Sequence, residues 1–461
     1  MTSLEQLAES INIEDWETEI LSWVWEQARA AGKLLLEKLD EVLLHKRGVG
    51  LVVEGLRERR VITRFGDITI RRRLYRDKSG KRHFLLDQAL GLDKRSPVSS
   101  GVRELCMLLA SMLPFGKCEE IVRRILPVGV SHTTIHRQLE RVTEPGLVQE
   151  EKEVDQFRRE GKTTPAGERT ALLLFVEADG VNIALQREKE RKGEIKVGIA
   201  YEGWKEASGK GRYRLKEKTV YLGMMAGDRF WDGFSLKLAK KYDLSRVERC
   251  VVGGDGAHFV RDGSEILGAM YQLDRFHLRR ALLRGTGGDV SLANEVYRFC
   301  VSGDIVEADR LLMRAQVGRK REQSLEIGRL RAYLLENACG LADYRIGLGG
   351  GALRGLGAIE GNVDKLVACR MKRRGMSWTK RGAQRMARLL EWRYSGAISA
   401  WIRPEKTALT PAARTTVPGE KWRGDRSAEW LDMGVPALYG PHSNRPWVQA
   451  LNSLVQGRTR S

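Results

Sequence analysis

Several short strand patterns arrive close together within residues 171–273, before any long helix does, and two of them run into an aspartate flanked by glycine. That order constrains the fold more than any other feature of the chain. Residues 171–178 read as a buried strand around the densest apolar run, followed at once by Asp179 and Gly180. Residues 195–201 and 219–225 read as second and third strands, separated by the basic segment 205–218, and a short amphipathic helix is predicted over 231–241. Residues 249–253 and 269–273 are two further short strands, the first ending in Gly-Gly-Asp-Gly with Asp255 as its acid. The chain is therefore expected to be of the α/β class.

A carboxylate at the end of an apolar strand needs a reason. Either aspartate alone could serve a turn or cap a helix; two on separate, adjacent strands point to shared chemistry. Hard divalent cations prefer oxygen ligands, and Mg²⁺ commonly takes one or two carboxylates and keeps water and substrate oxygens. Two such ions about 4 Å apart can activate a water, neutralise a phosphate and stabilise a leaving oxygen without a protein nucleophile. Three acids on a rigid scaffold suffice. On sequence grounds the third is open among Glu360, Asp364, Glu336 and Asp343. Glu360 is preferred because it opens a helix predicted over 359–373, after the glycine-rich stretch 347–357, and that helix carries Lys365, Arg370, Lys372, Arg373 and Arg374 for phosphate. Asp364 shares its helical face and Glu177 shares the strand face of Asp179, so either could be a ligand or support one. Asp274 and His277 form a D-x-x-H pair after the fifth strand. The histidine could donate to a phosphate or orient an acid; a structural histidine at a strand end is the plainer alternative.

Lys and Arg number 80 against 60 Asp and Glu, a formal charge of +20, so nucleic acid is the expected partner. With 461 residues, 42% of them hydrophobic, two or three folded domains are expected. Residues 1–60 read as an N-terminal helical region ending in the basic patch Arg57, Arg59, Arg60 and Arg64. Residues 61–148 follow as a basic hairpin and a helix-turn-helix pattern. In the hairpin a strand over 67–75 turns at Lys78-Ser79-Gly80 and returns over 83–86; Arg71, Arg72 and Arg73 suit phosphate or a solvated face equally. Residues 118–142 read as helix, turn at Val128-Gly129-Val130, and a second helix capped by Ser131. Thr133, Thr134, His136, Arg137 and Arg141 could face a major groove while Ile135, Leu139 and Val142 face the core; a plain helical hairpin has the same pattern. A polar linker is expected over 149–169, then a catalytic domain over 170–402 with a helical insertion at about 285–345. Residues 403–461 hold six of the 11 prolines and read as a loosely ordered tail, with Trp422, Trp430 and Trp447 as anchors. The six scattered cysteines form no C-x-x-C pair and read as reduced core residues. The acidic start has no secretory pattern and no run reaches a membrane-spanning length, so a cytoplasmic protein is expected.

Several motifs in order resemble the DDE transposases of bacterial insertion sequences, specifically the ISLre group. They are Glu177-Ala-Asp-Gly180, residues 194–204 (EIKVGIAYEGW), residues 252–257 (VGGDGA), residues 271–277 (YQLDRFH), residues 357–365 (GAIEGNVDK) and residues 370–378 (RMKRRGMSW). The resemblance spans most of residues 60–400, including Leu85-Leu86-Asp87. It implies a ribonuclease H-like catalytic domain, which the order of three strands, helix, strand and strand also matches. It further implies Mg²⁺ or Mn²⁺, two ions held by Asp179, Asp255 and Glu360, and cleavage and strand transfer at the ends of an element. The D-x-x-H pair is similar to that of Mutator-like transposases. Implied partners are double-stranded DNA, as element ends and target, and a second copy of the chain, since two ends must be paired. The proline-rich tail departs from the pattern. Alternatives are a metal nuclease of the same fold that does not join strands, and a DNA-binding regulator with a degenerate catalytic domain.

Overall fold

The computed structural model describes Gln6 and residues 11–161, 165–207, 212–348, 353–373 and 375–402; the expected tail, 403–461, and Arg374 lie outside them. Helix α1 (Trp16–His45) is the first long element described, after a 3-10 turn over Ile13–Asp15. It ends before Gly48 and Gly50, the latter at a φ of 100° that favours glycine. The chain then enters an antiparallel ribbon, β1 (Val52–Thr63) with β2 (Gly66–Arg76). The helical region therefore stops short of residue 60, because Val52 and Val53 already pair with Arg76 and Tyr75. The return expected over 83–86 is only β3 (Arg82–His83). Leu85-Leu86-Asp87 instead begins helix α2 (Leu85–Leu90), which turns Asp87 inward to accept from Arg59 at 2.6 Å and Arg72 at 2.8 Å.

Helices α3 (Ser100–Ala110), α4 (Phe115–Ile125) and α5 (His132–Glu160) follow. The Ser131 hydroxyl accepts from the Thr134 amide at the start of α5, and Ile135, Leu139 and Val142 are buried. The linker expected over 149–169 is corrected here, since α5 runs unbroken to Glu160. Glu150 and Glu151 looked solvated because their partners, Arg388 and Arg381, lie over 200 residues away on α13 (Lys380–Ser395), which also bonds Glu144 just before the expected linker. Arg381 meets Glu144 at 2.5 Å and Glu151 at 2.8 Å, and Arg385 meets Glu144 at 2.9 Å.

The central sheet comprises β4 (Leu173–Leu185), β5 (Lys192–Tyr201), β8 (Thr219–Gly223), β9 (Arg249–Gly254) and β10 (Met270–Leu273) in the order β10-β9-β4-β5-β8. A small ribbon, β6 (Trp204–Glu206) with β7 (Tyr213–Leu215), stands apart from it. Strands β5 and β8 run antiparallel to their neighbours, while β9 and β10 are parallel to β4. Alternation along the strands feeds two cores. Phe175, Val181, Ile195, Val197 and Ile199 pack with Met386, Leu389 and Leu390 of α13, whereas Leu174, Val176 and Ala178 pack with Phe230, Trp231 and Phe234 of α6 (Gly227–Ala239). Helix α7 (His258–Ile266) joins β9 to β10.

After β10 come α8 (Arg275–Gly285), α9 (Val290–Ser302), α10 (Ile305–Gln316) and α11 (Arg321–Glu336). The single helix expected over 359–373 is a short α12 (Ala358–Val363) that widens into a π-helix over Asp364–Lys372. Strand β11 (Ser377–Trp378) then pairs with the far end of β4, and α14 (Ile398–Ile402) follows α13. All six cysteines are free, but Cys339 and Cys369 are exposed, contrary to their reading as core residues; Cys339 lies in a short 3-10 helix (Ala338–Gly340) and Cys369 in the π-helix, rather than on a packed stripe. The structure is thus a mixed α/β arrangement, and no described helix is long and apolar enough to cross a membrane.

Candidate active site

Strand β9 pairs with β4 only from Leu173 to Glu177, after which that edge of β4 runs alone until β11 meets Ala184. The last register pair is Glu177 with Gly253, so Asp179 and Asp255 each lie two residues past the point where the strands part. Crevices at the carboxyl ends of parallel strands are where open α/β sheets commonly bind ligands. Asp179 does not end its strand, as expected from sequence, because antiparallel pairing with Val197 carries β4 onward. Asp255 lies in a tight turn, accepting from the Ala257 amide at 2.9 Å. Gly256 permits that turn with a φ of 96°, and a Cβ there would come within 3.1 Å of Asn337 Oδ1.

Asp274 follows β10, its amide donating to the Gly254 carbonyl at 2.8 Å. Its buried carboxylate caps α8, accepting from the amides of Phe276 at 2.9 Å and His277 at 3.0 Å, and it lies 3.1 Å from His277 Nδ1. That leaves Nε2 of His277 to point outward, 3.9 Å from Glu360 Oε2. The D-x-x-H pair is therefore a helix cap and an oriented imidazole in one, with Asp274 acting through His277.

Glu360 sits in the first turn of α12. What seats that turn is Glu177, a carboxylate only 1% exposed. One of its oxygens accepts from the amides of Gly357 at 2.9 Å and Ile359 at 3.0 Å, and the other accepts from the Tyr201 hydroxyl. Glu177 is thus committed to the protein's own backbone. Asp364 is likewise engaged, pairing with Arg373 at 2.5 Å, and Asp343 pairs with Arg345 at 2.6 Å.

The electrostatics follow from this crowding. Burial lifts the Asp179 carboxyl to about 6; the Gly180 amide opposes that rise, the charges of Asp255 and Glu360 add to it, and His277 lowers it. His277 is raised above the usual histidine range, first by its hydrogen bond to Asp274 and against its partial burial, with the charges of Asp274, Asp255 and Glu360 assisting. Asp179, Asp255, Glu360 and His277 therefore share one electrostatic neighbourhood. Among the described residues no three His, Cys, Asp or Glu side chains close tightly enough to hold an ion as they stand. The donor set itself, oxygen-rich and carrying excess negative charge, suits a hard divalent cation.

The basic residues expected to meet DNA divide sharply. Arg71, Thr133, His136, Arg137, Lys365 and Lys372 are exposed. Thr134 is half-buried beside Ser131, and Arg141 is held by the Arg95 carbonyl at 3.0 Å. Arg73 is bound to Asp40 at 2.7 Å, and Arg373 to Asp364 as above. Two assignments are corrected. Arg72 is 7% exposed, bonded to Asp87 and stacked 3.7 Å over Phe84. Arg370 is 3% exposed, donating to the Ala110 carbonyl at 2.7 Å and lying against Phe115 and Trp378. Both guanidiniums join elements of the fold, a use that a count of positive charges does not reveal. Sequence reasoning did not single out Tyr333, whose hydroxyl donates to the Asp255 carbonyl at 3.1 Å. Nor did it single out the arginines that follow His277 on α8, although their i, i+3, i+7 spacing was visible.

The chain is 24% identical over 396 residues to a UPF0236 protein of Caldanaerobacter subterraneus subsp. tengcongensis, covering 83% of this chain and 78% of the relative. A second protein of that organism, whose name joins eleven locus designations, is 23% identical over 393 residues, covering 83% and 78%. The UPF0236 protein in the vanSb 3′ region of Streptococcus gallolyticus is 26% identical over 412 residues, with 86% of each chain covered. A family model described as "Uncharacterised protein family (UPF0236)" matches residues 6–406, and the chain therefore belongs to that family.

Proposed function

We propose that this protein is a transposase of the DDE type, which cuts DNA at the ends of an insertion sequence and joins the freed end to target DNA. One observation carries the reading: Asp179 and Asp255 each lie two residues past the point where the parallel strands β4 and β9 part, and Nε2 of His277 on the neighbouring helix lies 3.9 Å from Glu360 Oε2. The sheet order β10-β9-β4-β5-β8, with two antiparallel and two parallel neighbours, is the one expected of a ribonuclease H-like domain. The sequence resemblance supports it as well. So does a relative named for eleven loci, as multiple copies are what a self-copying element leaves behind.

In this reading Asp179, Asp255 and Glu360 would hold the divalent ions, Mg²⁺ or Mn²⁺. Such ions, when bound, lower the pKa of a water and neutralise the charge gathering on the phosphate. The chain's own residues do the rest. Asp274 fixes the imidazole and favours its protonated form, in which Nε2 of His277 presents an N–H to a phosphate oxygen. Glu177 holds the first turn of α12 in place. The excess positive charge of the chain and the exposed face of α5 draw and align duplex DNA, and pairing two ends calls for two copies of the chain.

The test is an assay of the full-length protein on duplex made from the DNA flanking its gene, with Mg²⁺. Cleavage leaving a 3′-hydroxyl, followed by joined products, is expected, and Asp179→Asn or Asp255→Asn abolishes both. Cleavage without joining would reassign the protein as a nuclease, and wild-type protein that leaves its own flanking DNA uncut would refute the reading.

A further inference from the structure

A groove of about 400 Å³ opens at Asp255 and His277 and runs between α8 and α11. Its floor is set by close contact of the two helices, for a Cβ on Gly285 would lie 2.6 Å from Leu330 Cβ. With the backbones that near, the long side chains can only stand along the rims. Helix α8 places His277, Arg280 and Arg284 at i, i+3 and i+7, hence on one face. The row of charge begins at the imidazole and climbs about 10 Å along the helix. Helix α11 supplies Arg329 on the opposite rim, while its Tyr333 ties the same helix to the Asp255 carbonyl.

These arginines are not neutralised by the fold. Among the described residues, Glu326 is the one carboxylate between the rims beyond Asp255 at the inner end; it pairs with Arg329 and lies 3.9 Å from Arg284. The side chains of Arg284 and Arg329 are 81% and 73% exposed, and Arg280 makes no ion pair with a described residue. Three guanidiniums thus face one carboxylate, in a channel whose inner end is an acidic cluster that would otherwise repel a polyanion. A single DNA strand carries one phosphate per about 3.4 Å of helix axis, so a 10 Å row spans about three of them.

Resting on the function proposed above, we propose that the groove between α8 and α11 seats the phosphodiester backbone of one DNA strand within about three nucleotides of the bond cleaved at Asp255. Arg280, Arg284 and Arg329 are its phosphate contacts. Arg329 falls within the expected helical insertion while Arg280 and Arg284 precede it, and all three are separate in sequence from residues 118–142.

The test uses the full-length protein and a fluorescein-labelled duplex copied from the DNA flanking its gene, with binding followed by anisotropy over a range of KCl. Replacing all three arginines (Arg280→Ala, Arg284→Ala, Arg329→Ala) is expected to flatten the plot of log affinity against log salt by roughly 2 to 3, at about 0.9 per lost phosphate contact. The corresponding triple lysine variant keeps the slope. A p-benzoyl-phenylalanine in place of Ala281 is expected to crosslink within three nucleotides of the cleaved bond. If the alanine variant keeps the wild-type slope, or the crosslink maps elsewhere, while Asp179→Asn still abolishes cleavage, the groove assignment is overturned and the function stands. If wild-type protein neither cleaves nor binds the duplex, both fall together.

Discussion

Replacing Glu177 is the sharpest probe of how this site is built, because its side chain holds two backbone amides and a phenol at once. In Glu177→Ala the amides of Gly357 and Ile359 and the Tyr201 hydroxyl lose their acceptor in a region closed to water. Each orphaned buried donor costs about 1 to 3 kcal/mol. Relief from burying a carboxylate offsets part of this, leaving a net loss of roughly 3 kcal/mol for holding the first turn of α12 in place. At about 1.4 kcal/mol per tenfold, exchange of those two amides with deuterium should quicken by about a hundredfold. Glu177→Gln is the control. Its amide oxygen can take both backbone donors and its NH₂ can donate to Tyr201, so exchange should remain within a few-fold of wild type. In the cleavage assay the alanine variant should lose activity with Glu360 displaced, and the glutamine variant should retain it. If Gly357 and Ile359 exchange at the wild-type rate in the alanine variant, or if glutamine is as damaging as alanine, Glu177 does not seat the helix.

The Asp179 carboxyl, followed by ¹³C NMR in metal-free protein, should titrate near pH 6, and Asp255→Asn should lower that midpoint because it removes a like charge. Since the folded value lies above the ordinary 3.8, this group favours folding below about pH 4 and that contribution is lost as pH rises through about 6. For the same reason Asp179→Asn, which removes a buried charge, should raise the melting temperature of metal-free protein at pH 8; a lower melting temperature would contradict the account. Arg72→Ala should cost about 2 to 4 kcal/mol in chemical denaturation, by leaving the buried Asp87 with Arg59 alone, while the exposed neighbour Arg71→Ala should change stability by less than about 0.5 kcal/mol. Equal effects of the two would mean that the Arg72–Asp87 contact contributes nothing.

Local pattern made much of the central sheet legible. Strand alternation and apolar runs marked β5, β8, β9 and β10 and the start of β4 within a few residues, since each must bury at least one face, but missed the seven residues by which β4 continues past 178. Partners distant in sequence were not legible. Glu150 and Glu151 looked like part of a linker until set against Arg388 and Arg381, and Arg72 and Arg370 looked like surface charge until Asp87 and Ala110 were seen beside them. Asp179 and Asp255 announced themselves as acids beside glycine at the ends of apolar runs. The part played by Glu177 did not, because nothing in its local sequence says that residues 357 and 359 will present their amides to it. The widening of α12 into a π-helix was equally hidden, for the composition of 364–372 is that of an ordinary helix.

Strand β4 receives its neighbours at very different times. Its partner β5 follows directly, β9 arrives some 70 residues after Asp179, the turn bearing Glu360 about 180 and β11 about 200. At about 5 to 20 residues per second, a ribosome takes roughly 10 to 40 s to travel from Asp179 to Glu360. Over the part of that interval after Asp255 is made, roughly 5 to 20 s, the nascent chain has both aspartates but not the glutamate. Any product of premature termination in this stretch lacks one corner of the acidic cluster, and Glu177 waits buried in the growing sheet for amides that have yet to be made.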